Sequence, residues 1–421
     1  MPVKDTAREA AFAAIRAART DIVRICREIL EDPAEAGDEQ RASERLRGLL
    51  AHYGFEVESG VAGLPTAFRA TKKNHDRHAM RNGLRHGSIA ILVPAGADLS
   101  TRHGDAHPLG LATALGAAIG ISQGLDSEHG SVTVIGFSGD VALDAMARAG
   151  VFDEFDAVIG AQPATSGEGF CYTIDGTGET LAARVATIVV EGDTAAFVAS
   201  VEVAASTLAA PNRIEIVSQA AGTVELNLTG RTSSDLLDLS ATVQRIEDET
   251  PGIRVEFGTT FDDMIVNRII ARRVKTYADT LGYKLDKAHK SEPGQASGWG
   301  SVSHATPTFV LNFPFTTASV VKGTPEFAAA AGASESFDRA ITFAECLCMA
   351  GLDVLRDMQF RSIADDQLVK ALAARGVRRE HRRWLGVHPV IKDPEAPSKS
   401  GKKGPKMTEF KMVRGPGMRD N

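Results

Sequence analysis

The sequence predicts an α/β fold: a mixed, mostly parallel sheet flanked by helices, with a ferredoxin-like βαββαβ unit inserted into it. Three observations predict this fold. Up to residue 161, strand-like apolar runs alternate with segments of helical periodicity, which is typical of βαβ units. The chain then changes to a β-α-β-β-α-β order over about 80 residues. The α/β pattern resumes near residue 267, so the small unit interrupts a larger one.

The first part of the chain supplies helices and strands in turn. Apolar residues at helical spacing predict helices over the first 30 residues and over 38–52. The continuous apolar run 88–93 predicts a strand that is buried on both faces. The basic, aperiodic stretch 71–87 is predicted to be an exposed loop. Further predictions are strands at 55–59, 131–137 and 156–161 and helices at 108–123 and 141–149.

The inserted unit and the return to an α/β pattern define the predicted domains. In the inserted unit we predict strands at 184–192, 213–218, 222–230 and 253–258 and helices at 195–210 and 233–249. After it we predict helices at 267–281, 335–358 and 365–385 and a strand at 308–313. The predicted domains are a main α/β domain (1–183 plus 263–365), an inserted domain (184–262), and a C-terminal helix with a flexible basic tail (366–421).

Composition excludes several classes of protein. Of 421 residues, 43% are hydrophobic and 24% are charged, which is ordinary for a globular chain and excludes a mostly disordered or fibrous one. The net charge of −7 and the 6% of aromatic residues disfavour a nucleic-acid partner. No apolar run reaches the ~18 residues that span a membrane. With four cysteines and no apolar signal core at the start, we expect a cytoplasmic protein without membrane contact.

The segment RHGDAH, residues 102–107, is the sharpest chemical feature. His103, Asp105 and His107 stand two residues apart, so in an extended segment all three side chains project from one face. Imidazole and carboxylate groups are ligands that hydrolytic transition metals prefer. The segment follows a predicted strand and precedes a predicted helix, where open α/β sheets place their sites. The sequence therefore indicates a metal site here, the alternative being a polar loop with two solvated histidines.

Other candidate polar groups lie at or near the ends of strands. Asp140 follows an apolar strand and is a general base, a further metal ligand or a cap of the next helix. Gln162 ends the next strand. Ser303 and His304 lie in a Ser/Gly-rich stretch just before the last predicted strand, where a histidine is either structural or functional. The sequence contains no phosphate-binding loop and no nucleophile elbow.

Two stretches resemble a known family, the aminoacylase and carboxypeptidase group of metallopeptidases, and in particular its amidohydrolase branch. This branch includes aminobenzoyl-glutamate hydrolase, hippurate hydrolase and the auxin-conjugate hydrolases. The stretches are HYGFEVESGVAGLPTAFRA at 52–70 and GTPEFAAAAGASE at 323–335, and the resemblance extends over roughly residues 8–360. It implies a zinc-peptidase-like α/β domain whose inserted unit is a lid and dimerisation domain. The implied assembly is a homodimer or a higher homo-oligomer.

Residue by residue, the resemblance assigns part of a two-metal hydrolytic site. The family has Gly-His-Ala-Cys-Gly-His-Asn where this chain has RHGDAHP. His107 matches a ligand histidine, and His103 matches the first histidine of the motif. Asp105 replaces the ligand cysteine, one anion for another. Asp140 replaces the glutamate that acts as general base in the family.

Three further positions depart from the family. Val141 replaces a ligand glutamate, Gln162 replaces a ligand histidine, and Gly323 replaces a final histidine. Because valine and glycine offer no side-chain ligand, the resemblance implies an atypical site. We expect one weakly held divalent transition metal, Mn²⁺ or Zn²⁺, per subunit. One divergent member of this group hydrolyses an aromatic amine, 5-nitroanthranilate, and such a flat substrate could itself chelate the metal.

Two functions of different classes follow. The first is a metal-dependent hydrolase that uses a metal-activated water to break a C–N bond next to a carboxylate. Its partner is a small aromatic or N-acyl carboxylate: an aromatic amine such as 5-nitroanthranilate, or an N-acyl or aminobenzoyl amino acid amide. The second is a catalytically inactive homologue that serves as a partner subunit or ligand-binding protein. In the hydrolase, the expected substrate-binding residues are Gln162, Arg231, Asn267, Ser303, His304 and Thr324.

Overall fold

The computed structural model of the protein describes residues 5–31, 39–74, 86–95, 107–125, 130–165, 180–191, 194–220, 222–282, 296–316, 320 and 324–379. It confirms the predicted α/β fold, with a mixed six-stranded sheet flanked by helices and a second, four-stranded sheet. None of the helices in these ranges combines the length and the apolar character that a bilayer crossing requires.

Helices and strands alternate along most of the described chain. The strands are β1 Glu56–Ser59, β2 Phe68–Asn74, β3 Gly87–Pro94, β4 Gly130–Phe137, β5 Ala157–Thr165, β6 Ala182–Val190, β7 Arg213–Ala220, β8 Thr223–Gly230, β9 Ile253–Phe261 and β10 Thr308–Thr316. The helices are α1 Asp5–Glu31, α2 Gln40–His52, α3 His107–Gly124, α4 Gly139–Arg148, α5 Thr194–Ser206, α6 Ser233–Glu249, α7 Arg268–Thr280, α8 Gly298–Ala305, α9 Pro325–Gly332, α10 Ser334–Arg356 and α11 Met358–Ala373.

The main sheet has the strand order β1-β2-β4-β3-β5-β10. The strands β4, β3, β5 and β10 run parallel to one another. β2 pairs antiparallel with both β4 and β1, so that β1 forms the edge. In β3 all of residues 89–93 are buried, as expected for a central strand with helices on both faces.

Two separate groups of helices cover the two faces of the main sheet. Helices α1, α3, α7 and α10 pack on one face, and α4 and α8 pack on the other. α3 is buried almost all round because it lies between the sheet, α1 and α10. Its Gly120 allows this close approach, since a Cβ there would overlap Ile15 and Cys348. The nearly uniform apolar sequence of α3 follows from this central position.

The second sheet has the order β7-β8-β6-β9 and is antiparallel throughout. Its chain order, β6-α5-β7-β8-α6-β9, is the predicted βαββαβ pattern. Both helices cover one face and build a core separate from those of the main sheet. Thr232 caps α6 reciprocally: its side chain accepts from the Asp235 N–H, and the Asp235 carboxylate accepts from the Thr232 N–H. The role of this unit as a lid and dimerisation domain stays a prediction.

The structure differs from the predicted elements at several places. β2 continues to Asn74, into the stretch predicted to be a loop, because pairing with β4 satisfies the backbone of a segment whose lysines are partly or fully exposed. Helices α8 and α9 form where the sequence predicts none. α11 starts at Met358, well before residue 365, because the Asp357 side chain caps it by accepting from the Phe360 N–H. β3 begins at Gly87, the last residue of the predicted loop. Residues 75–85 of that loop and the predicted tail beyond 379 lie outside the described residues.

Candidate active site

Two neighbouring parallel strands, β3 and β4, end side by side at the carboxyl ends of the parallel strands of the main sheet. β3 ends at Pro94, which lies opposite Phe137 at the end of β4. The chain after β3 leads to α3 on one face of the sheet, and the chain after β4 leads to α4 on the other face. Such a switch point opens a crevice at the carboxyl ends of the strands, which is where α/β proteins bind ligands.

His107 and Asp140 lie at the starts of the two helices that leave this switch point. His107 is the first residue of α3 and is half-buried. Asp140 lies in the first turn of α4 and is exposed. Its Oδ1 accepts a hydrogen bond from the backbone N–H of Gly298, 3.0 Å away, at the start of α8. Asp140 therefore caps a helix other than its own while its side chain remains accessible to solvent.

Gln162 also lies near the carboxyl ends of the parallel strands. The register of β5 against β3 brings Gln162 level with the end of β3. Its side chain is exposed, and on its other side it lies opposite Asn312 of β10. Contrary to the sequence prediction, Gln162 does not end β5, because the pairing with β10 extends β5 to Thr165. The structure thus places Gln162 within β5, at the same end of the strands as His107 and Asp140 at the starts of α3 and α4.

The described residues contain only part of the predicted metal site. His103, Asp105 and Gly323 lie outside them. Within the described ranges, no three or more histidine, cysteine, aspartate or glutamate side chains come close enough together to hold a metal ion. Val141, next to Asp140, is 61% exposed and offers no ligand atom.

Ser303 and His304 lie in the second half of α8, near the start of β10. They are therefore near the amino ends of the parallel strands, away from the switch point. The buried Ser303 hydroxyl donates to the Gly300 carbonyl at 2.6 Å and accepts from the Ile265 N–H at 2.8 Å. Nε2 of His304 lies 2.9 Å from the backbone oxygen of Asp263. Both side chains hold α8 against the segment after β9, and the structure does not bring them to the switch point.

Of the other three predicted substrate contacts, Asn267 and Thr324 cap helices, whereas the Arg231 side chain is exposed. Asn267 is buried and caps α7: its Oδ1 accepts from the Ile270 N–H at 3.2 Å, and its Nδ2 donates to the Ala364 carbonyl at 2.9 Å. Thr324 caps α9. Arg231 is exposed at the end of β8 in the second sheet. Of these, the structure leaves Arg231 the most accessible for a substrate carboxylate.

The sequence reasoning missed a buried polar cluster around Asp263, between the two sheets. The Asp263 carboxylate accepts from the Ser233 N–H at 2.9 Å and from Nε of Arg375 at 2.7 Å. Burial alone would raise the pKa of Asp263, but the imidazole of His304, whose Nε2 lies 3.5 Å from Oδ1, and the charge of Arg375 outweigh it and lower the pKa to about 2. The only sequence signal for this cluster is a pair of consecutive aspartates, 262 and 263, directly after β9.

Neither a protein-family model nor a curated protein matches this chain. Solved structures of similar fold include a protein named as an aminohydrolase from methicillin-resistant Staphylococcus aureus, with a TM-score of 0.64 and 16% identity over 83% of this chain and 100% of that one. The Bacillus subtilis YXEP protein, a dinuclear metal-binding peptidase of the M20 family, has a TM-score of 0.56 and 16% identity over 79% and 98% of the two chains.

A third structure of similar fold is the aminobenzoyl-glutamate utilization protein from Klebsiella pneumoniae. It has a TM-score of 0.56 and 10% identity, over 82% of this chain and 98% of that one. At these identities the likeness establishes the fold. The likeness extends over 79–83% of this chain and over 98–100% of the three solved structures.

Proposed function

We propose that this protein is a metal-dependent hydrolase that cleaves a C–N bond next to a carboxylate. Its substrate is either an aromatic amine such as 5-nitroanthranilate, giving the hydroxy acid and ammonia, or an N-acyl or aminobenzoyl amino acid amide. The proposal is carried by the joint placement of His107 and Asp140 at the switch point between β3 and β4. With His107 as a metal ligand and Asp140 as a base, these two helix starts would supply the minimum that such a reaction requires.

The similar structures support the reaction class. Two of them are named as an aminohydrolase and as a dinuclear metal-binding peptidase. Both names denote hydrolases of C–N bonds, and the present chain shares their architecture. The residues that depart from the family, Val141 and Gln162, lie at the same sheet edge as His107 and Asp140. We therefore propose that this protein differs from the resembled family in its metal-ligand residues, while its fold is the same.

The donor set fits a divalent transition metal. His107 supplies an imidazole at the switch point, and His103 and Asp105 precede it by four and two residues. Imidazole and carboxylate ligands together suit Zn²⁺ and Mn²⁺. When bound, such an ion supplies the Lewis acidity that makes water a nucleophile near neutral pH. We propose a single, weakly held ion per subunit because valine and glutamine occupy positions where the resembled family has further ligands.

The protein's own groups supply proton transfer and substrate binding. The Gly298 N–H holds one oxygen of Asp140 at 3.0 Å, which restricts the rotation of this carboxylate. An oriented carboxylate is a better general base than a freely rotating one. Gln162 offers amide donors and an acceptor on the neighbouring strand β5. Arg231 is the proposed partner of the substrate carboxylate, and the inserted unit is the proposed homodimer contact.

Metal content and turnover together test this proposal. The purified chain is equilibrated with Mn²⁺ or Zn²⁺, its bound metal is measured, and it is assayed with 5-nitroanthranilate, aminobenzoyl-glutamate and hippurate. We expect bound metal and turnover of one substrate class, both lost in His107→Ala. The matched control is His52→Ala, which removes an exposed histidine at the end of α2. Absence of turnover with every metal and substrate would contradict the proposal.

One observation favours a second candidate function, a catalytically inactive homologue that binds ligands or a partner subunit. Val141 stands, highly exposed, where the resembled family has a metal ligand. In that case the chain would bind aromatic carboxylates with no metal requirement and release them unchanged. The experiment above separates the two functions, because only the hydrolase loses both metal and turnover in His107→Ala.

A further inference from the structure

A cavity of about 540 Å³ lies where α4 of the main unit meets the inserted unit. Its walls come from α4, β6, α6 and β9, so both parts of the fold contribute. Its volume is within the usual range for small-molecule sites. Arg148, in its wall, follows Asp140 by eight residues on α4, which is about 12 Å along a helix axis. The cavity is therefore about two helical turns from the proposed base.

Arg184 of β6 is the cation around which the cavity is built. Its guanidinium lies 4.3 Å from the centroid of the Phe257 ring, and its Nε donates to the Gly258 carbonyl at 3.2 Å. No carboxylate among the described residues forms an ion pair with it. Burial lowers the pKa of Arg184, and the like charge of Arg148 nearby lowers it further. A partly desolvated cation beside a like charge favours the binding of an anion.

The two carboxylates in the cavity wall already have partners. Asp144 accepts from Nε of Arg148 at 2.9 Å. Asp262 accepts from the Ser233 hydroxyl at 2.7 Å and lies 3.5 Å from Nη2 of Arg148. Arg148 is thus held between two acids, and its own charge is compensated within the protein. A negatively charged ligand would therefore pair with Arg184.

We infer that this cavity binds a small organic carboxylate. Arg184, held by its ring and carbonyl contacts, presents a pre-oriented guanidinium to the carboxylate. Thr259 and Thr260 also line the cavity, and Leu236 and Leu237 offer an apolar wall to the rest of the ligand. A ligand here touches α4 and the inserted unit at once, so its binding stabilises their mutual position. This inference is independent of the proposed reaction.

Calorimetric titration of the metal-free, full-length chain with benzoate tests the inference. Benzamide is the neutral isostere, and inorganic phosphate is the anion without an apolar body. We expect saturable binding of benzoate, with both comparison ligands at least about tenfold weaker. Arg184→Gln should weaken benzoate binding at least about tenfold, and Arg184→Lys should weaken it less because the charge remains. The matched control is Arg245→Gln, which removes an exposed arginine from α6 of the same unit.

Hydrogen exchange locates the ligand independently of the affinity. Benzoate should slow amide exchange in β9 and in the last turn of α4 together, in the wild type and in His107→Ala alike. The persistence of binding in His107→Ala separates this cavity from the proposed active site. Equal affinity of wild type and a folded Arg184→Gln variant would overturn the inference. Equal affinity for benzamide, tighter binding of phosphate, or no saturable binding of benzoate would overturn it as well.

Discussion

Asp140 caps α8, and we propose that it is also the general base; substitution can separate the two roles. It is an exposed carboxylate and also the acceptor for the Gly298 N–H at the start of α8. Asp140→Asn keeps an acceptor oxygen for that N–H but removes the negative charge that a general base requires. We expect Asp140→Asn to lower kcat about 100-fold or more with a nearly unchanged melting temperature, and Asp140→Ala to lower both. If Asp140→Asn retains full activity, the residue is a cap alone.

The Asp263 carboxylate links stability to pH. Its pKa falls from 3.8 to about 2 in the folded protein, so the folded state binds this proton more weakly than the unfolded state. Its stabilising contribution is therefore complete above the unfolded pKa and is lost as the pH falls through about 2. We expect the wild-type free energy of unfolding to decline more steeply than that of Asp263→Asn on acidification through this window. At neutral pH, Asp263→Asn should cost roughly 3 kcal/mol, because Arg375 loses its carboxylate.

Urea unfolding at a series of acidic pH values measures this difference. The control is Asp238→Asn, which changes an exposed aspartate on α6. It should shift neither the neutral stability nor its pH dependence by much, since exposed charges contribute little. Parallel pH profiles for the wild type and Asp263→Asn would show that the buried cluster does not lower the pKa of this carboxylate.

At the scale of single elements, the start of α7 depends on one buried side chain. Asn267→Ala removes the acceptor for the Ile270 N–H and the donor to the Ala364 carbonyl. We expect a loss of roughly 2 kcal/mol in the free energy of unfolding, with an unchanged KM for substrate. Thr324→Ala, at the partly exposed cap of α9, should cost about 1 kcal/mol or less. If Asn267→Ala instead raises KM and leaves stability unchanged, Asn267 contacts the substrate, as the sequence analysis predicts.

The elements that the sequence predicts well are those whose pattern is local. The apolar runs of β3 and β4 and the period of α6 each carry their own signal, and α6 has its predicted bounds of 233–249. α8 has no such signal, since its sequence GWGSVSHA is poor in strong helix formers. It forms because Gly298 and Gly300 pack directly on the backbone of Asp140 and Asp262. Those contacts join residues more than 30 positions apart in the sequence. They therefore produce no periodic pattern from which the helix could be predicted.

In the candidate site, too, local features are predictable from the sequence and long-range contacts are not. Strand ends are visible in the sequence, so the positions of His107, Asp140 and Gln162 at one edge of the sheet follow from the order of the elements. The hydrogen-bond partners of Ser303 and Asn267 are not visible, because each is supplied by a segment tens of residues away. A polar residue near a strand is equally compatible with a ligand contact and a helix cap until its partners are known.

At the scale of the whole molecule, the inserted unit and the main unit have separate cores. Among the residues that the structure describes, every buried apolar residue of the inserted core lies between 182 and 246, and none of them belongs to the cores around the main sheet. The units meet through polar contacts, of which Ser233 with Asp263 and Arg148 with the Thr260 carbonyl are two. A boundary formed by polar contacts is what allows one unit to be removed without opening the core of the other.

The chain enters and leaves the inserted unit through two paired strands, and this makes the independence of the main unit testable. Ala183 and Phe261 lie opposite each other in the β6–β9 ladder, about 5 Å apart. A short Gly-Ser linker can therefore replace residues 184–260. We expect this variant to unfold cooperatively, with the near-ultraviolet circular dichroism of a packed core. Its melting temperature should be lower by about 5 °C, because the polar contacts at the boundary are lost.

The deletion also separates the scaffold from the proposed chemistry. It keeps the switch point with His107 and Asp140 but removes Arg231, the proposed partner of the substrate carboxylate. Metal binding should therefore persist while turnover is lost, and a high concentration of substrate should restore part of it. The matched control is Arg231→Ala in the full chain, which should raise KM without affecting metal content or folding. Aggregation or gradual, non-cooperative melting of the deletion variant would mean that the main unit needs the inserted one in order to fold, and the domain boundaries predicted from the sequence would then be wrong.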